Sequence, residues 1–313
     1  LVFENAESAL LMTPAKAPFC SDFAKLAGEP LHATVKPVPV WLLIEHRGRW
    51  ECDALATLPE AVRAHIIAVK ASTPRMRTVL IRQPGRRSGP LAVFVARAGE
   101  AASGWEQFEI ERYEDLLAID IGISGSGSGN RQLFAVCTHG AHDLCCAKYG
   151  NAVFEAMDRL APEAVWQASH LGGCRFAPNV LCLPHGLVYG RVEPEHARAI
   201  IESYQAGAVD LSRLRGRSSY SKAVQAADHF VRISSRTAGI EELQLLESAE
   251  MHPGCWRVVF RSGPSAEHHE VVVSVEASSC ATYQSCSAAA VSVRSSFHVK
   301  ENHDGVRRSS EGI

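Results

Sequence analysis

Two short stretches hold most of the reactive side chains of this chain. The first is Cys137-Thr138-His139-Gly140-Ala141-His142-Asp143-Leu144-Cys145-Cys146, and the second is His170-Leu171-Gly172-Gly173-Cys174-Arg175-Phe176-Ala177. Cys137 and Cys146 offer two thiolates nine residues apart. His170 and Cys174 offer an imidazole and a thiolate four apart on a glycine-rich turn. Four soft or borderline ligands in two pairs can hold a small metal centre, and thiolates are the usual ligands of iron–sulfur clusters. On ligand type alone, tetrahedral zinc fits equally well.

The neighbouring pattern says what must position these residues. An apolar strand over residues 133–136 runs into the Cys137 loop. Asp143 is placed to N-cap a helix over about residues 144–160, with Val153, Phe154, Met157 and Leu160 on one face. Cys146 then falls in the first helical turn, where free N–H groups and the helix dipole favour a thiolate. Residues 164–168 read as the next strand, leading to His170, where Gly172 and Gly173 let the backbone curl close to a metal centre. Strands over 180–183 and 187–189 flank a Pro184-His185-Gly186 turn, and residues 194–204 give a closing helix. Strand, helix, strand, hairpin and helix, with cysteines between the first strand and first helix, is a thioredoxin-like order.

Upstream, residues 41–45, 78–82, 91–95 and 107–111 read as strands, with helical spacing over 59–71 and a short helix over 113–119. The Gly/Ser run at 122–130 is followed by a strand, not by the helix and Lys-Ser/Thr pair of a phosphate-binding loop, so it reads as a linker. The expected organisation is an N-terminal α/β domain (1–121), the linker (122–130), and a thioredoxin-like iron–sulfur domain (131–208) self-contained enough to bind its metal alone. A small C-terminal β appendage (209–299) and a polar, mobile tail (300–313) complete it. In the appendage, a basic stretch at 213–217 precedes a helix near 223–231 and apolar stretches at 256–260, 269–275 and 289–293. No internal repeat is evident in the sequence.

A net charge of −2 gives no basic field for nucleic acid, and the apolar runs are too short to span a bilayer, so neither nucleic acid nor membrane is an expected partner. The N-terminal residues show no secretory signal, which with ten cysteines points to a reducing cytoplasm. There, clustered cysteines bind metal or do redox work. The scattered ones (Cys20, Cys52, Cys182, Cys255, Cys280 and Cys286) read as buried small hydrophobes or inert thiols.

C-T-H-G-x-x-D-x-x-C over 137–146, H-x-G-G-C-x-F-A over 170–177 and P-x-G over 184–186 resemble the sucrase/ferredoxin-like family, which contains thioredoxin-like [2Fe–2S] ferredoxins. Cys20-Ser21-Asp22, residues 41–45 and Arg215-Gly216-Arg217 also resemble bacterial members. The resemblance implies that Cys137 and Cys146 hold one iron of a [2Fe–2S] cluster and that His170 and Cys174 hold the other. Fungal-type members carry histidine where this chain has Cys174, so the implied set is three thiolates and one imidazole, with Cys145 or Cys182 as substitutes for His170.

The expected function is one-electron transfer with an unidentified redox partner protein, an electron carrier more than a catalyst. The alternatives are a zinc-stabilised binding module on the same fold and a thiol-based oxidoreductase using Cys145 or Cys146, although that chemistry normally starts its helix with C-x-x-C. His139 reads as a residue behind the ligands or on the surface. A Rieske centre needs a second C-x-x-H, which Cys174-Arg175-Phe176-Ala177 does not supply. Glycoside hydrolysis needs two facing carboxylates, and Glu106, Glu109, Glu111, Glu114 and Asp115 form a solvated face instead.

Overall fold

A computed structural model describes residues 19–100, 105–121, 132–263, 266–299 and 306–310. The linker at 122–130 and most of the lead-in and tail lie outside the described residues. Helix α1 (Cys20–Leu26) opens the described chain, followed by β1 (Val40–Glu45), α2 (Glu60–Ser72), β2 (Arg77–Arg82), β3 (Leu91–Arg97) and β4 (Trp105–Ile110). Then come β5 (Leu133–Cys137), α3 (Leu144–Asp158), β6 (Val165–Ala168), the hairpin β7 (Val180–Leu183) and β8 (Leu187–Tyr189), and α4 (Ala197–Gln205). Last are β9 (Leu214–Arg217), α5 (Lys222–Ser235), β10 (Leu243–His252), β11 (Cys255–Ser262), β12 (Glu267–Thr282), β13 (Ser292–Val299) and β14 (Val306–Ser310).

The first nine strands form one sheet in the order β4-β3-β1-β2-β6-β5-β7-β8-β9. β1 and β2 are parallel, as are β5 and β6, each pair joined through a helix; β3–β4 and β7–β8 are antiparallel hairpins. Each half thus has the β-α-β-plus-hairpin arrangement of a thioredoxin-like unit. The halves are arranged in opposite sense and meet where β2 and β6 pair antiparallel, Ile81 opposite Ala168. A duplicated topology is therefore present although no repeat is visible in the residues. The same alternation of elements builds the same topology from unrelated side chains, because topology follows the apolar pattern more than residue identity.

The central strands β1, β5, β6, β7 and β8 are buried along their whole length, as expected for strands covered on both faces. Edge strand β4 alternates, with Trp105 and Ile110 buried and Gln107 and Glu109 exposed. On one sheet face α2 packs Val62 and Ile66 against Leu42 and Ile44, while α3 and α4 pack Val153, Met157 and Tyr204 against Phe134 and Val136. The other face is a single apolar surface that crosses the seam, with Leu43, Val79, Ile81, Ala168, Ala135 and Leu181 in one core. The second sheet, β10 to β14, packs Val258, Phe260 and Val271 on α5 residues Val224, Ala227 and Val231.

Several local readings change in the structure. The basic stretch at 213–217 is mostly strand β9, and all four of its residues are buried. Arg217 donates to the Gly99 and Ile240 carbonyls, so its charge serves as internal hydrogen bonding. The apolar stretch at 289–293 is replaced by β13, which starts at Ser292, and β10 was not anticipated because its residues are largely exposed and carry no apolar alternation. Residues 306–310 of the polar tail pair with β12.

Candidate metal centre

Strand β5 delivers Cys137 to the end of the sheet, and α3 starts seven residues later. Asp143 N-caps this helix by accepting from the Cys145 amide at 3.0 Å. The consecutive thiols of its first turn point to different places, because a helix rotates about 100° per residue. Cys146 faces the Cys137 and Cys174 sulfurs, while Cys145 faces Cys20 and Cys286. Gly173, in the left-handed region at φ 76°, starts the turn Cys174–Phe176 and sets Cys174 beside α3. The Cys174 sulfur lies 3.4 Å from His170 Nδ1. The structure therefore brings Cys137, Cys146, Cys174 and His170 to one place. Their thiols are almost sealed from solvent, with Cys146 fully buried.

Three buried sulfurs, with Cys146 facing both of the others, cannot all ionise unless a cation joins them. The Cys146 thiol donates to Cys137 and holds it below the usual thiol range; burial opposes this, and the backbone N–H groups of Leu171 and His139 add to it. Cys146 is pushed far up by the Cys137 and Cys174 sulfurs it faces and by burial. Burial, with the Arg77 guanidinium next in size, pulls the His170 imidazole down to about 3, so it is neutral and offers a lone pair at any ordinary pH. Donor type, burial and the N–H groups on Cys137 all suit a thiolate-bound metal centre.

Residues behind these four side chains fix their orientation. His139 Nδ1 accepts from the His170 amide at 3.2 Å, so its proton is on Nε2, which donates to the Glu51 carbonyl at 2.7 Å. With both nitrogens engaged in these hydrogen bonds, His139 holds the backbone of His170 in place. Arg77 of β2 donates to the His170 carbonyl at 2.7 Å and lies close enough to feel Cys137 and Cys174. Nothing in the sequence linked Arg77 to this site; the β2–β6 seam brings it there. The His142 ring lies tilted over that of His170, with ring centroids 3.8 Å apart. Cys182 sits in the helix-side core with Phe134, on the opposite sheet face from Cys137, which removes it as a substitute ligand.

Two of the cysteines read as inert are not isolated. Cys20 of α1 and Cys286, in the segment after β12, meet Cys145 with sulfur–sulfur distances of 3.4 and 3.1 Å. The Cys20 thiol donates to Cys145 and draws it down to about 6. Burial would raise the Asp143 carboxyl, yet the amides of Cys286 and Cys145 hold it below its usual range. By contrast, Cys255 is a buried β11 residue, Cys280 contacts the Ala27 carbonyl, and Cys52 is exposed.

Gly150 ties helix position to ligand position. A Cβ there would lie 2.1 Å from the Cys137 carbonyl oxygen, a backbone atom with little freedom to move. Gly150→Ala is expected to push α3 off the Cys137 loop, destabilising the fold by about 1–3 kcal/mol as an overpacking change. Bound metal should fall with it. Denaturant unfolding and metal analysis of the variant check this, and an unchanged midpoint with full metal content would sink it.

The family model described as Sucrase/ferredoxin-like matches residues 31–216, more than half of the chain, and the chain belongs to that family. No curated protein matches it. Among solved structures, it is similar to a thioredoxin-like [2Fe-2S] ferredoxin from Aquifex aeolicus, with 19% identity over 30% of this chain and 97% of that one, at a TM-score of 0.27. A wild-type structure of the thioredoxin-like [2Fe-2S] ferredoxin from that organism gives 23% identity over 25% of this chain and 89% of the other, at a TM-score of 0.22. Among the described residues, no helix is long and apolar enough to cross a membrane.

Proposed function

We propose that this protein is a one-electron carrier whose [2Fe–2S] cluster is held by Cys137, Cys146, Cys174 and His170, working in the cytoplasm with a redox partner protein. The observation that carries the reading is the convergence of three buried thiols and a neutral imidazole at the end of β5, with two backbone N–H groups directed at the Cys137 sulfur. When bound, such a cluster takes up and releases single electrons. N–H groups that donate to a ligating sulfur withdraw electron density and stabilise the reduced state. The Arg77 guanidinium adds positive charge beside Cys137 and Cys174. Adjacent Cys145 and Cys146 face different clusters, which disfavours a dithiol exchange reaction between them.

His170 also marks the side from which electrons would enter. It lines a cleft of about 760 Å³ together with Lys36, Arg77, Arg175, Lys222 and Arg294. A cationic cleft beside a ligand favours an acidic partner surface and raises its encounter rate at low salt.

The deciding experiment is anaerobic purification with iron and acid-labile sulfide analysis. A red-brown protein with equal iron and sulfide, giving an electron paramagnetic resonance signal on reduction, is expected. A colourless chain with zinc on these four residues would replace the electron carrier by a zinc-stabilised module. For the cleft, anionic ferricyanide is expected to oxidise the reduced protein about tenfold more slowly at high than at low ionic strength. Cationic hexaammineruthenium should show no such fall. Equal salt responses for the two oxidants would remove the cleft from the electron path.

A further inference from the structure

We propose that Cys20, Cys145, Cys286 and Asp143 form a second metal site, a closed tetrahedral centre for a zinc-type divalent cation. The one potential ligand atom from each residue lies within 4.8 Å of all the others. The sulfur separations are 3.4 Å for Cys20–Cys145, 3.1 Å for Cys145–Cys286 and 3.7 Å for Cys20–Cys286. The two Asp143 carboxylate oxygens lie 3.9 and 4.0 Å from the Cys20 sulfur. Zinc–sulfur bonds of about 2.3 Å in a tetrahedron place sulfurs about 3.8 Å apart, so this triangle has to open only slightly.

The carboxylate is already oriented. One Asp143 oxygen accepts from the Cys145 amide and the other from the Cys286 amide, each at 3.0 Å. Such outer hydrogen bonds are the usual way a ligating carboxylate is held. A disulfide would use two of the three sulfurs and leave the third, with the carboxylate, unexplained. Three thiolates and a carboxylate instead complete a four-coordinate set with no open position, the pattern of a structural zinc site.

The three thiols come from distant parts of the chain. Cys20 lies 125 residues before Cys145, and Cys286 lies 141 residues after it. A metal here would clamp the N-terminal helix and the segment following β12 onto the first turn of α3. That turn also carries Cys146, so the clamp would brace one wall of the proposed cluster without sharing a ligand with it.

The test counts zinc and iron separately on the full chain, supplied with both metals during expression and purified anaerobically. One zinc per chain is expected beside the iron, and zinc-edge X-ray absorption of the unmodified protein should show three sulfurs and one oxygen. Cys20→Ser and Cys286→Ser should each lose the zinc and keep the iron, whereas Cys137→Ser should lose the iron and keep the zinc. Because the absorption spectrum reads the ligand set without any substitution, a variant that misfolds leaves the proposal open to refutation. Iron-loaded protein without zinc, or with two of these cysteines joined in a disulfide, would overturn it. So would zinc lost in Cys137→Ser and retained in Cys286→Ser. Zinc intact in a protein lacking iron and sulfide would instead count against the electron-carrier reading alone.

Discussion

Cys146→Ser is expected to strip the protein of iron, whereas Cys145→Ser, one residue earlier, is expected to leave the iron in place. The two thiols differ in direction, not in chemistry. Cys146 is fully buried against Cys137 and Cys174, and its loss removes one of the three thiolates of that centre. Cys145 points to Cys20 and Cys286, so replacing it should disturb the second group of ligands only. Iron, sulfide and zinc measured on both variants check this. Iron retained in the Cys146 variant and lost in the Cys145 variant would place the cluster among the wrong sulfurs.

The second large effect concerns His170. His170→Cys is expected to lower the reduction potential by on the order of 125–350 mV, half the separation between all-cysteine clusters and two-histidine Rieske centres. The physical cause is charge: a neutral imidazole leaves the cluster less negative than a thiolate does, which favours the reduced state. The site can accept the change because His170 Nδ1 already faces the Cys174 sulfur at 3.4 Å, and its backbone is anchored through the amide to His139 and through the carbonyl to Arg77. A spectroelectrochemical titration of the two proteins reads the shift. An unchanged potential with an intact cluster would show that His170 is not a ligand, and His142, whose ring lies against it and whose ligand atom is within 4.8 Å of those of His170 and Cys174, would be the next residue to substitute.

What the sequence determined by itself was local. Apolar runs marked β1, β2, β3 and β5 because strands buried on both faces must be apolar throughout. Asp143 marked the start of α3 because a short acceptor before an apolar-periodic segment caps its free amides, and the cap is present. Cys137, Cys146, His170 and Cys174 were legible as candidate ligands because soft donors recur in two closely spaced pairs, and the fold brings the four side chains together.

What only the tertiary structure decided was which distant segments meet. The seam between β2 and β6 makes one sheet of two thioredoxin-like halves and carries Arg77 to the His170 carbonyl. The isolated Cys20 and Cys286 read as inert because each stands far in sequence from any other ligand pair. They become partners of Cys145 only when α1 and the segment after β12 close over α3. Arg215 and Arg217 belong to a stretch legible only as basic, and packing turned both inward onto backbone carbonyls. Local pattern fixes which face of a strand or helix is apolar, but long-range pairing is set by how those faces bury one another, and that information is spread over the whole chain.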